Sequence, residues 1–104
     1  MDSMNFQFDT ILHQEIRANI MKYLASSDTL TVRTIKDKLE VTDGNLATHL
    51  HKLEQVGYIE IQKTFENRRP KTTVTLTQKG EDAYSEYLQQ LKEFIDEYEK
   101  YKED

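Results

Sequence analysis

Hydrophobic residues recur between positions 9 and 25 as Ile11, Leu12, Ile16, Ile20, Met21 and Leu24, mostly three or four apart, the period of one helix face. Asp9 or Thr10 stands where such a helix takes its N-cap. The polar run ASSDTL breaks the pattern. A shorter helix follows from about Val32 to Glu40, with Thr31 as its cap and Ile35 and Leu39 turned inward. A third helix runs from Thr42 to Val56. Thr42 caps it, Leu46, Leu50 and Leu53 form its buried stripe, and Gly57 closes it in a left-handed turn. The side away from the stripe carries Gly44, Thr48, His51, Lys52 and Gln55, with Asn45 and His49 on its flanks.

From Tyr58 the period falls to two. Ile59, Ile61, Lys63 and Phe65 take one face of an extended segment; Tyr58, Glu60, Gln62 and Thr64 take the other. TTVTLT is a second β-rich run. The basic ENRRPK between the two makes a hairpin, with a connection that reads as too long for a tight two-residue turn. Thr77 starts a last segment with Gly80 in its first turn. Beyond it Tyr84, Tyr87, Leu91, Phe94, Tyr98 and Tyr101 follow the 3-4-3-4-3 spacing of a heptad seam, widened by Leu88 and Ile95. The expected fold class is α+β and mostly helical. Residues 1–76 form a unit that ends in the hairpin, and residues 77–104 a long C-terminal helix. The second and third helices are joined by EVT, short enough for a helix-turn-helix.

Composition bears on the seam. Of the 104 residues 37% are apolar, about 40% with the three glycines, against about 45–50% in typical domains. So modest a core gains from a second subunit that buries more apolar surface. A seam of six residues, four of them tyrosine, is wider than one small domain needs, and tyrosine suits an interface, apolar in body with a wet tip. A homodimer is therefore expected, with Tyr84, Tyr87, Leu88, Leu91, Phe94, Ile95, Tyr98 and Tyr101 at its interface. Phe6, Phe8, Ile11 and Leu12 join them.

The chain has no cysteine, which excludes a disulfide framework, a thiolate metal site and a cysteine nucleophile. No apolar run is long enough to span a bilayer, and residues 1–12 lack the basic start and apolar stretch of a signal peptide. A cytoplasmic protein without a membrane partner is expected. The net charge of −5 is unevenly placed. Residues 1–76 hold ten basic and ten acidic side chains, and residues 77–104 hold four and nine. Local potential rather than total charge decides what a surface attracts.

The ordered set TDGNLATHLHKLEQVGYIEIQK, FENRRPKT and TVTLTQKGEDAY resembles the winged-helix transcriptional regulators of the MarR/ArsR-like superfamily, over roughly residues 13–90. The resemblance implies a dimeric DNA-binding protein, with 42–56 as the recognition helix and 65–72 as the wing. One branch of that superfamily senses metals through cysteines, which this chain lacks. Other members bind small aromatic ligands at the dimer junction, and no effector is identified here.

The residue types suit that role. A helix entering the major groove must present short polar side chains near its N-terminus. Gly44 lets the backbone come close. Asn45 suits adenine, Thr48 a thymine methyl or a phosphate, and Lys52 the backbone. Asp43 favours the helix dipole but repels phosphate. In the wing, Arg68, Arg69 and Lys71, with Lys63 on the incoming strand, suit a narrow minor groove or the phosphates beside it. The expected DNA-binding set is Thr42, Gly44, Asn45, Thr48, His49, His51, Lys52, Lys63, Arg68, Arg69 and Lys71. One phosphate each for Lys52, Arg68, Arg69 and Lys71 gives a dimer about eight contacts and a log-log salt slope of roughly −7. Double-stranded DNA with a palindromic operator is the expected partner, its half-sites about 34 Å apart.

Blander readings stand beside these. The leucine stripe is core whatever the function. The polar helix face alone would pass for ordinary solvated surface; its ordered neighbours argue otherwise. His49 and His51 point about 160° apart on a helix and cannot chelate one ion together. No nucleophile motif, phosphate-cradling loop or acid–base pair marks an enzyme, and no cofactor is implied. The rival is a winged helix without DNA binding that uses the same surface for a protein partner; the neutral balance of residues 1–76 supports it.

Overall fold

The helices begin and end where side chains satisfy their free backbone groups. In the computed structural model, which describes residues 5–103, the elements are α1 (Glu15–Ser27), β1 (Thr29–Thr31), α2 (Val32–Leu39), α3 (Asp43–Gln55), β2 (Ile59–Glu66), β3 (Arg69–Leu76) and α4 (Gln78–Glu103). Residues 1–4 and 104, the outer ends of the two segments expected from the sequence, lie outside the described residues. Thr31 accepts the Thr34 N–H at the start of α2, and Thr42 accepts the Asn45 N–H at the start of α3. α3 closes on Gly57 at φ +82°. The Gly57 N–H donates to the Glu54 carbonyl and the Tyr58 N–H to that of Leu53, the paired bonds of a Schellman cap.

Three local readings change. The first helix begins at Glu15 rather than near Asp9. Asp9 caps a separate turn instead, accepting the N–H groups of Ile11 (2.8 Å) and Leu12 (3.1 Å), while the Gln14 side chain caps α1. The break at ASSDTL is narrower than it reads: α1 runs on through Ser27, and a strand starts at Thr29. Thr29, Leu30 and Thr31 pair with Thr75, Val74 and Thr73, and the sheet runs β1-β3-β2, all antiparallel. Three residues are too few for an alternation signal. The hairpin connection is a tight one after all: β2 pairs through Glu66 opposite Arg69, leaving Asn67 and Arg68 as the turn. Both have positive φ, 52° and 64°, the conformation of a type I′ turn, whose twist matches that of the strands. Its lack of the usual glycine hid it.

The core lies between α1, α2, α3 and the inner face of the sheet. Leu12, Ile20, Met21, Leu24, Ile35, Leu46, Leu53, Ile59 and Val74 are fully or almost fully covered. α4 packs on it through Tyr87 and then runs on. The radius of gyration, 16.5 Å, exceeds the roughly 13 Å of a compact chain this long, and the longest extent is 63 Å. The projecting half of α4 leaves Phe94, Ile95, Tyr98 and Tyr101 half or more exposed.

The N-terminal arm lies on α4. Phe6 and Phe8 each meet Phe94 edge to face at 5.6 Å, and Phe8 stacks on His13, which bonds the Tyr87 hydroxyl at 2.8 Å. Two expected interface residues are thereby corrected. Leu12 is 0% and Tyr87 6% exposed within one chain, so both belong to its own core. The heptad pattern fixed a face of α4 but not how far along it the domain itself would pack.

Candidate nucleic-acid interface

With Leu46, Leu50 and Leu53 inward, α3 turns Gly44, Asn45, Thr48, His51, Lys52 and Gln55 to solvent, and the cap residue Thr42 is exposed beside them. Beyond its chain neighbours and the nearby backbone of its own helix, no atom of the described residues lies within 4 Å of where a Gly44 Cβ would be, so this side of the helix faces open space. The Thr48 hydroxyl donates back to the Gly44 carbonyl at 3.0 Å.

His49 is placed differently from the rest. It is half-buried, and its Nδ1 lies 2.9 Å from an Arg17 guanidinium nitrogen. Arginine has only donors, so Nδ1 accepts and the ring proton sits on Nε2. Burial, then the charges of Arg17 and Lys52, lower the His49 pKa below its ordinary 6.5. Arg17 is itself buried and holds the Ile11 carbonyl at 2.6 Å. The pair ties the turn before α1 to α3, and His49 faces the protein. The sequence carried a signal for this: Arg17 falls on the stripe with Met21 and Leu24, where a charge is out of place.

Charges around α3 and the wing are partly matched inside the chain. Lys36 of α2 meets Asp43 at 2.9 Å, which offsets the acid at the start of α3. Lys71 meets Glu66 at 2.8 Å, and that contact lowers the Glu66 pKa. Arg68 and Arg69 remain exposed at the hairpin tip, and Lys63 is exposed on β2. Pro70 stands opposite Phe65. In a two-residue hairpin the residues flanking the turn form the hydrogen-bonded pair and the next pair points its N–H groups outward, so a proline is tolerated there. Arg33, at the start of α2, lines an open concavity with Asn67 and Arg69 and adds a cation that the sequence reading passed over.

A helix-turn-helix packed on α1, with an antiparallel hairpin beside its second helix, defines a winged-helix domain. The family model described as winged helix DNA-binding domain matches residues 16–95, and the chain belongs to that family. It is 35% identical over 81 residues to an uncharacterised protein of Methanocaldococcus jannaschii, covering 78% of this chain and 88% of that one. The transcriptional regulator homologue protein of Pyrococcus horikoshii OT3 has the same fold at a TM-score of 0.80 and 32% identity, over 85% of this chain and 87% of that one. An ArsR family transcriptional regulator matches at a TM-score of 0.60 and 20% identity, over 83% of this chain and 89% of that one. The winged-helix resemblance read from the sequence holds, and the chain is a winged-helix DNA-binding domain; with the ArsR family regulator it shares the fold. Among the described residues no helix is long and apolar enough to cross a membrane.

Proposed function

We propose that this chain is a cytoplasmic, homodimeric, sequence-specific DNA-binding transcriptional regulator. One observation carries the reading: the exposed polar face of α3 and the exposed basic tip of the wing lie on one domain, with the acidic excess of residues 77–104 in a separate helix. Residues 42–56 enter the major groove. Gly44 lets the backbone approach, the α3 N-terminus offers its partial positive charge to a phosphate, Asn45 suits adenine and the Thr48 methyl suits thymine. His51 and Lys52 lie further along the same face. Lys63, Arg68 and Arg69 hold the adjacent backbone or minor groove. His49 is left out of the contact set, and Lys71 serves by holding Glu66.

With one phosphate each for Lys52, Arg68 and Arg69, a dimer makes about six contacts, so the salt slope is roughly −5 rather than −7. Leu88, Ile95, Tyr98 and Tyr101, with Phe94, join two copies along α4, and a palindromic operator with half-sites about 34 Å apart follows from the two-fold symmetry. Fluorescence anisotropy with DNA from upstream of the protein's own gene, against scrambled DNA across a salt series, tests the reading. Tight binding to the upstream DNA alone with a steep slope supports an autoregulating repressor or activator. Absence of binding to either at low salt would move the same surface to a protein partner.

A further inference from the structure

Phe65 is 78% exposed, the most exposed large hydrophobic side chain among the described residues. The other exposed large hydrophobics all lie along α4; Phe65 alone is on the wing. Strand alternation puts it on the face of β2 that carries Ile59, Ile61 and Lys63. Ile61 and Lys63 line a shallow groove with His51 and Glu54 of α3. Phe65 therefore continues, beyond the groove, the face that looks toward the recognition helix. It lies four residues past Ile61, about 13 Å along the strand. A major groove and the minor groove next to it are half a helical turn apart, about 17 Å. With α3 in the former, Phe65 is in range of the latter. Its cross-strand partner is Pro70, so two apolar residues stand opposite each other one rung behind the Glu66–Arg69 pair that flanks the turn.

A phosphate contact calls for a cation, and Arg68 and Arg69 supply it. A bare aromatic ring beside them suits another surface: the sugars and unstacked base edges of the minor groove, where proteins insert apolar side chains at flexible steps. We propose that Phe65 is a minor-groove wedge of the wing, its ring packed against the sugars and entering a flexible pyrimidine–purine step that flanks the α3 site. This rests on the DNA-binding reading above. It adds a sequence preference outside the major-groove contacts, because such steps unstack at least cost.

The probe is a labelled duplex of about 30 base pairs that the wild-type protein enriches from a random pool, long enough for two half-sites. Wild type, Phe65→Ala and Phe65→Leu are titrated with it between about 50 and 200 mM salt. Phe65→Ala is expected to bind at least about tenfold more weakly with an unchanged salt slope, and Phe65→Leu to keep part of the affinity. An unchanged slope means that the arginines still reach phosphate, so the hairpin is intact and the loss is apolar. Replacing the flanking pyrimidine–purine step by a stiffer one should weaken wild type and leave Phe65→Ala unaffected, the signature of direct coupling. Equal affinity of wild type and Phe65→Ala, a slope that falls in the variant, or an equal response of both proteins to the altered step would each overturn the wedge. Wild type that enriches no duplex would overturn the DNA-binding reading and the wedge with it.

Discussion

A Cβ on Gly80 would stand 2.1 Å from the carbonyl oxygen of Tyr58, closer than any real side chain allows. The same carbonyl accepts the Thr77 N–H at 3.1 Å, and Thr77 in turn caps α4 by accepting the Gly80 N–H at 3.0 Å. The first turn of α4 is thus seated directly on the chain that leaves α3, and only glycine fits there. Alanine normally favours a helix by about 1 kcal/mol over glycine; here overpacking against backbone reverses the sign. Gly80→Ala should destabilise the fold by about 2 kcal/mol and lower the melting temperature by roughly 10 °C. Thermal unfolding followed by circular dichroism measures it, and a rise in melting temperature would mean that the helix is not seated so closely.

His49 gives the fold a pH dependence. Its folded-state pKa lies below the ordinary 6.5, first through burial and then through Arg17 and Lys52. In the window below 6.5 the unfolded chain binds more protons at this residue than the folded one, so stability rises with pH there. The contribution is complete above 6.5 and is lost as pH falls through the folded value. Protonation also removes the Nδ1 acceptor from Arg17. His49→Gln keeps an acceptor without titrating, so its melting temperature should vary less between about pH 7 and pH 5 than that of wild type. Parallel curves for the two proteins would show that another group carries the dependence.

Much of the fold was legible because period and caps agreed. The leucine stripe of α3, its Thr42 cap and the Gly57 stop all point to one helix with a known outward face, and with it to most of the candidate site. What escaped was set by contacts distant in sequence. β1 exists because β3 offers a free edge to three residues that have no period of their own. The wing turn is tight because Asn67 and Arg68 both adopt positive φ, a choice that composition does not announce for arginine. His49 and Arg17 lie 32 positions apart, and only packing shows that they bond. Leu12 and Tyr87 have the residue types of an interface and the surroundings of a core.

The seam can be tested without disturbing the domain. Leu91 is half-buried on the chain's own core and Phe94 already meets Phe6 and Phe8, so charges there would confuse dissociation with unfolding. Ile95 and Tyr98 are 53% and 62% exposed in the single chain. Ile95→Asp with Tyr98→Asp should therefore leave helicity and melting of the domain nearly intact while a dimer falls apart, because a buried interface cannot hold unpaired carboxylates. Sedimentation should report the monomer mass of 12.3 kDa. A variant that still sediments at twice that mass would place the interface elsewhere.

Arg68 occupies the second turn position of the wing at φ 64°, a backbone conformation that costs an arginine and suits a glycine. Such strain persists where a side chain has a use that outweighs it. Arg68→Gly therefore separates stability from binding. Relief of the turn should leave the melting temperature unchanged or raise it, by up to about 1 kcal/mol in stability. Loss of one cation per subunit should weaken DNA binding and make the salt slope of a dimer shallower by about 2. A variant that is both more stable and a weaker, less salt-sensitive binder is what a phosphate-contacting tip requires. If affinity and slope match wild type, Arg68 is a strained turn residue with no part in DNA contact, and the basic wing assignment rests on Arg69 and Lys63 alone.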